Sequence, residues 1–506
     1  MNSSKTRQKD IRHVEVGQRV PFVIACVIAV GLSAAGQDVA KAATDRDITR
    51  AVERSLLVEE SVSSHLIDVT TIDGVVTLSG SVSHLLEKDR ALSAAARIKG
   101  VRSIIDRLNV RPVEKSDDEI RRDVNKALAF DPATDSYEID VAVDDGIVTL
   151  TGAVESWAEK LLAADVAKGV AGVEDIHNRV TYSYESDRSD FDVEADIEGR
   201  LESDPYVDET MIDVTVSDGV AMLTGTVGSV AEKSYVLNDA RVAGLKRIID
   251  ENLDVREWTR DELEREYKVA LVEDDDIKKA IDDAMVYDPR VSSFKIGVAV
   301  EEGRVTLTGT VDNLKAKRAA GLDAKNTVGV VSIDNRIKVR PGQDTVDTQI
   351  AENLRDAIGL DPILDRFEIA VIVRNHEAFL AGVVDSHFEK EHAEDVAARI
   401  NGVASIENNL VVRDRWQWKS DAEIKQDIES EYMWSPFVDG GDLAIRVDDG
   451  HVELAGRVDS WHEYLESVEN AFEGGAKSVR SYLRVEANDR LYDRFWSEPP
   501  EEVWPL

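Results

Sequence analysis

The sequence predicts an α+β protein of six tandem two-layer domains. Each is an α-β-β-α-β unit whose two helices cover a three-stranded sheet. Three observations predict it. A nine-residue stretch recurs, as IDGVVTLSG at 72–80, DDGIVTLTG at 144–152, SDGVAMLTG at 217–225, EEGRVTLTG at 301–309, a worn RNHEAFLAG at 374–382, and DDGHVELAG at 448–456. Ahead of the copies, apolar residues return every four positions. Behind most of them comes a Gly-Val pair and a short alternating run.

The leading helix of each unit is read from that four-residue spacing. Ile120, Val124 and Leu128 share one face, as do Val193, Ile197 and Leu201, and Ile277, Ile281 and Met285, which is the stripe an amphipathic helix turns to its core. Asp precedes Pro132, Pro205, Pro289 and Pro362. Proline drives the residue before it out of the helical region, so the helix stops there. The sixth copy has Ser435-Pro436 and the first has no proline.

A strand follows. Ile139, Val141 and Val143 alternate with Asp140 and Ala142, and Phe294, Ile296, Val298, Val300 and Phe367, Ile369, Val371, Val373 keep the same period of two, so one face is buried. The recurring stretch is then a tight hairpin. Gly74, Gly146, Gly219, Gly303 and Gly450 supply the turn, where a positive φ is needed. In the worn copy His376 replaces the glycine and Asn375 supplies the turn, which should cost a little stability and spare the fold; the His376 side chain is expected to be exposed. Six residues on stand Gly80, Gly152, Gly225, Gly309, Gly382 and Gly456. Such a glycine in a strand either relieves a bulge or lets a neighbour come close.

The second helix of repeat 2 starts near Trp157, with Leu161 and Ala164 on one face. Gly100, Gly172, Gly329 and Gly402, each followed by Val, mark the helix exit, with Gly475 in the last copy. Copy three carries Leu245 at this position and Gly244 one residue earlier. Closing strands end at Val110, Val339 and Val412.

The repeats therefore occupy residues 46–110, 117–182, 189–255, 273–339, 344–412 and 420–485. Residues 256–272 form a longer linker, read as an extra helix or a spacer. Residues 486–506 form an aromatic C-terminal tail, docked through its aromatics. Residues 1–36 form a signal peptide or N-terminal apolar segment. Five Lys or Arg precede the run PFVIACVIAVGLSAAG at 21–36, which has the basic, apolar and small-residue order of an export signal, with cleavage after Ala35 or Gly36. An uncleaved anchor or a buried segment are the other readings. Cys26 is the only cysteine, so no disulfide framework is possible.

The chain carries 61 basic and 100 acidic side chains over 506 residues, a formal net charge of -39. Nucleic-acid binding, which needs basic stripes, is not expected. Removing residues 1–36, net +3, from -39 leaves -42, so anionic lipid would need a local basic patch or bridging divalent ions. No nucleophile elbow, phosphate loop, zinc signature or dinucleotide fingerprint is present. His387 and His392, with Glu389 and Glu391 between them, read as a solvated helix surface. The acid pairs at the turns, Asp144/Asp145, Glu301/Glu302 and Asp448/Asp449, lack the spaced oxygen ligands of a dedicated Ca²⁺ loop. Six of eight tryptophans fall late in the chain. Trp434, Trp461, Trp496 and Trp504 are candidate interface aromatics or else bury the tail.

The order of helix, Asp-Pro, alternating strand, Gly-x-Val-x-Leu-x-Gly, second helix and Gly-Val strand resembles the BON domain, in six tandem copies. The residues carrying the resemblance are the turn and exit glycines named above. The resemblance implies a noncatalytic module of the bacterial envelope, without cofactor or metal, periplasmic or secreted and associated with the membrane. It implies binding of phospholipid or other envelope components and a link to osmotic or envelope stress. A structural scaffold for protein partners is the alternative.

Overall fold

Repeat 2 shows how the sequence sets each element. The Ser116 hydroxyl accepts from the Glu119 N–H while the Glu119 carboxylate takes the Ser116 N–H. This reciprocal cap satisfies donors that a helix start leaves over. Helix Asp117–Phe130 then buries Ile120, Val124 and Leu128, and Asp131, ahead of Pro132, leaves the helical region with ψ 117°. Strand Glu138–Asp144 pairs antiparallel with Ile147–Val154. Ser156 caps the second helix, Trp157–Lys168, by accepting from the Glu159 N–H at 3.1 Å. The closing strand, Asp175–Asn178 continued by Thr181–Tyr182, runs parallel to the return strand of the hairpin.

A computed structural model describes residues 43–59, 61–134, 138–182, 188–256, 272–291, 294–342, 346–413, 419–458 and 461–485. Every repeat in it has this order. The return strand of the hairpin is central in each sheet, flanked by its antiparallel partner and by the parallel closing strand. Both helices lie on one side. In repeat 2 they enclose Val124, Leu128, Val148, Leu150, Ala163 and Ala167. The opposite side of every sheet has no helix of its own repeat over it. The linker at 257–271, the tail from 486 and the segment before Ala43 lie outside the described residues. Among the described residues no helix is long and apolar enough to cross a membrane.

The described residues form one compact unit, and the helix ends explain how. A helix leaves its last carbonyls unsatisfied. Here the last carbonyl of a leading helix is taken by another repeat. Ala171 N–H donates to Leu360 O at 2.7 Å and Asn401 N–H to Phe130 O at 3.2 Å, so repeats 2 and 5 exchange bonds reciprocally. Lys99 N–H donates to Trp434 O at 2.9 Å, joining repeats 1 and 6, and Val328 N–H to Ser203 O at 2.9 Å, joining 4 and 3. The pairing is nested: 1 with 6, 2 with 5, 3 with 4. All four donors immediately precede an exit glycine.

Side chains fill in between the pairs. Leu85 of repeat 1 enters the core of repeat 2, and Leu314 of repeat 4 that of repeat 5. Tyr206 and Tyr235 of repeat 3 stack at 4.3 Å, and Phe437 and His462 of repeat 6 meet Tyr206 edge-on. The Lys315 ammonium of repeat 4 pairs with the Asp131 carboxylate of repeat 2. The helical layers thus hold the unit together.

Candidate binding faces on the outer sides of the sheets

The hairpins are the most regular feature. Asp145 and Gly146 both have positive φ, 49° and 76°, the mirror-image turn that matches strand twist. Asp117, first residue of the leading helix, grips it: its two carboxylate oxygens accept from the Asp145 N–H at 3.2 Å and the Gly146 N–H at 3.0 Å. The clamp occurs six times. Asp45, Asp190, Asp274, Asp347 and Asp421 hold the turns at Asp73-Gly74, Asp218-Gly219, Glu302-Gly303, Asn375-His376 and Asp449-Gly450 at 2.7–3.0 Å. These acids were not singled out from the sequence. Their signal is there: each stands 29 residues before the second turn residue.

The second glycine of each hairpin answers to close approach. Pairing of Ile139 with Gly152 runs on without a bulge. A Cβ on Gly152 would fall 2.2 Å from Glu138 O, and one on Gly80 2.1 Å from Leu66 O. Gly225, Gly309 and Gly382 meet the same obstruction, while Gly456 shares the positive φ. The exit glycines Gly100, Gly172, Gly329, Gly402 and Gly475 all have positive φ. In copy three the reading of Leu245 as the equivalent residue is corrected. Gly244 has φ 92°, and Lys246 N–H returns to Gly219 O as Glu174 N–H does to Gly146 O. Leu245 stands where repeats 1, 2, 4 and 5 have Val and repeat 6 has Ala476.

Other expectations are corrected too. His392 is not on a solvated surface. Its Nε2 lies 2.8 Å from an Asp361 oxygen, with 10% and 5% of the two side chains exposed, because this helix edge faces the end of the leading helix. Glu389 is buried and accepts from Arg366 at 2.8 Å. His376 is half-buried, with Nδ1 3.0 Å from Gly402 O. Trp434 is half-buried against the core of repeat 1. Trp461 begins the second helix of repeat 6, while Trp496 and Trp504 lie outside the described residues. Among the described residues no group of three or more metal-ligating side chains converges.

Buried and half-buried acids collect where repeats meet. The Tyr206 hydroxyl donates to Glu466 at 2.9 Å, and burial raises the Glu466 carboxyl above its usual range. Burial also pushes Glu431 up to about 7 and Glu473 up to about 8, with Arg54 and Arg97 respectively opposing. In repeats 3 and 4, burial and then the neighbouring Asp204 and Asp288 push Asp239 and Asp323 well above the ordinary carboxylate range. These groups are spread along contacts between elements, and they form no catalytic constellation.

The outer sheet faces differ from repeat to repeat. Across the middle of the sheet the outward row reads Thr70, Thr77, Ile105 in repeat 1 and Ala142, Thr149, His177 in repeat 2. It reads Thr215, Met222, Ile249 in repeat 3 and Ala299, Thr306, Asp334 in repeat 4. Repeat 5 has Ile372, Phe379, Glu407, and its face carries three exposed apolar side chains, with Ile372 51%, Val383 45% and Val411 62% exposed. Repeat 6 has Arg446, Glu453, Arg480.

The model of the BON domain family matches residues 44–112, 116–184, 189–257, 273–341, 346–414 and 420–487. The chain belongs to the BON domain family. Among known proteins it is 32% identical over 141 residues to osmotically-inducible protein Y of Escherichia coli (strain K12), across 26% of this chain and 70% of that one. It is 26% identical over 140 residues to outer membrane lipoprotein DolP of Haemophilus influenzae, across 27% and 72%. A solved structure of CdsD, a structural protein of the type III secretion system of Chlamydia trachomatis, is similar at 16% identity and a TM-score of 0.11, over 40% of this chain and 89% of that one. A score that low says nothing of how the repeats are arranged.

Proposed function

We propose that this chain is a noncatalytic, envelope-associated binding protein. It engages phospholipid or other envelope components from the periplasm or outside the cell, in response to osmotic or envelope stress. One observation carries the reading: helices are used to close the six repeats on one another, while sheet faces of differing chemistry are left outward. Several modest faces on one body give avidity that a single module lacks. Family membership and the names of the two relatives, one osmotically inducible and one an outer membrane lipoprotein, support the same reading.

Fractionation of the native organism with N-terminal sequencing of the mature chain tests it. A processed chain starting near residue 36 or 37 in the periplasmic or membrane fraction is expected. An intact N-terminus in the cytosol would end the reading. The exposed Ile372, Val383 and Val411 on the sheet of repeat 5 favour a second one, a scaffold for protein partners. A photo-crosslinker at Ile372 that captures envelope proteins instead of lipid would favour it.

A further inference from the structure

We propose that His84 makes the start of the second helix of repeat 1 a pH-sensitive joint, which acid loosens from repeats 2 and 5. The inference goes beyond the envelope reading, because it concerns how the closed body opens and not what it binds. Helix Leu85–Ala96 begins after His84, whose Nδ1 accepts from the Glu87 N–H at 3.0 Å. A backbone N–H can only donate, so Nδ1 carries no proton and the ring is neutral. In the imidazolium both ring nitrogens are donors. Protonation therefore sets N–H against N–H and removes the cap. The second helices of repeats 2 to 5 begin after Ser156, Ser229, Asn313 and Ser386, and each of those side chains accepts from the N–H three residues on. Hydroxyl and amide caps of that kind do not titrate near neutral pH. Four repeats fold with them, so the fold does not call for an imidazole.

What this helix start holds is a contact between repeats. Leu85 lies in the core of repeat 2, and Leu86 packs against the core of repeat 5. The His84 side chain beside them is buried. Four charged or titratable groups act on it: Glu87 of its own helix, and Asp361, His392 and Arg366 of repeat 5. The two acids are already engaged. Glu87 accepts from the Ser63 and Ser83 N–H groups at 2.6 Å each. Asp361 lies 2.8 Å from His392 Nε2 and accepts from the Ile363 N–H at 2.9 Å. A cationic His84 would meet carboxylates committed elsewhere. Burial is the largest influence and holds the imidazole below its ordinary value of 6.5; Glu87 and Asp361 oppose it, while His392 and Arg366 add to it. The folded chain thus takes up this proton less readily than the unfolded one. The contribution of the cap is fully present above about 6.5 and is lost as pH falls through the lower folded value. Acid would then open the body at one defined place, where repeat 1 meets repeats 2 and 5.

The test is native-state hydrogen exchange of the full chain at about pH 7.5 and about pH 5, on either side of the ordinary histidine range, with each rate referred to the intrinsic rate at that pH. In wild type, helix Leu85–Ala96 should lose protection about fivefold at the lower pH, the loss of one N-cap. Helix Leu314–Lys325, capped by Asn313, should lose none. Glu473, near Arg97 at the far end of the first helix, is raised to about 8 and changes little between these two conditions. His84→Asn supplies a cap that accepts without titrating, and its helix should keep the same protection at both pH values. His84→Ser is the second such variant, should the first disturb folding. Wild-type protection that does not fall, or falls equally in both helices, overturns the joint. So does a fall that persists in His84→Asn and His84→Ser. A fall that persists in those variants and vanishes in His392→Asn moves the sensitivity to the neighbouring ring and overturns the assignment to His84. None of these outcomes bears on the envelope reading, which fractionation tests separately.

Discussion

Replacing Lys315 by Met would leave a buried acid of another repeat without its partner. The Lys315 side chain is 13% exposed and that of Asp131 2%, and 184 residues separate them in sequence. The other Asp131 oxygen accepts from the Ala133 N–H at 2.9 Å, so the carboxylate cannot swing out without also freeing the turn that ends the leading helix. Breaking one side of a buried pair costs about 3–5 kcal/mol. The surviving Ala133 bond puts the expected loss near the lower end, about 3 kcal/mol. In a chain of six domains a single unfolding midpoint is poorly defined. The assay is therefore native-state hydrogen exchange of helix Asp117–Phe130. K315M should speed its exchange by roughly a hundredfold. The double variant K315M/D131N should recover most of the protection, since both ends of the pair are then neutral. Unchanged exchange in K315M would refute the contact between repeats 2 and 4.

Three further outcomes follow from single residues. Asp190→Ala removes both acceptors from the Asp218-Gly219 turn. At about 1 kcal/mol per bond, that hairpin alone of the six should exchange roughly thirtyfold faster by peptide-resolved mass spectrometry. Gly152→Ala places a methyl 2.2 Å from Glu138 O at φ 144°. It should destabilise repeat 2 by at least about 2 kcal/mol, seen as earlier loss of its strands in the same exchange experiment. The third concerns pH. The folded-state pKa of Glu473, about 8, lies above the ordinary carboxylate value, so folding takes up a proton there. Its contribution is fully present below the ordinary carboxylate pKa and is lost as pH climbs through about 8. The contacts of repeats 1 and 6 should be better protected at pH 6 than at pH 9, and Glu473→Gln should flatten that dependence. Because 37% of this side chain still meets solvent, the slope should be shallower than for a fully enclosed acid.

Within a repeat, nearly everything was legible. The stripe Ile120, Val124, Leu128 and the alternation at Ile139, Val141, Val143 are periodic signals, and period is what a sequence displays most plainly. The Asp clamps were equally periodic across repeats. They were passed over because their partners are backbone N–H groups 28 and 29 residues away, and an acid in a first helical turn already has a local explanation in the helix dipole. The closure of the six repeats was not legible. It is made by last-turn carbonyls such as Leu360 O and by unlike side chains such as Lys315 with Asp131 and Tyr206 with Glu466, which follow no period. His84 occupies the cap position that Ser156, Ser229, Asn313 and Ser386 hold in other repeats. Comparing the copies for what they share hides it; comparing them for what differs brings it out.

The six repeats close on one another through nested pairs. Small-angle scattering from a chain covering Ala43–Leu506 measures this directly. A compact body of about 460 residues should give a radius of gyration of about 23 Å. A value above about 40 Å, as for six such domains strung end to end, would contradict the closure and with it the reason for looking to the outward sheet faces.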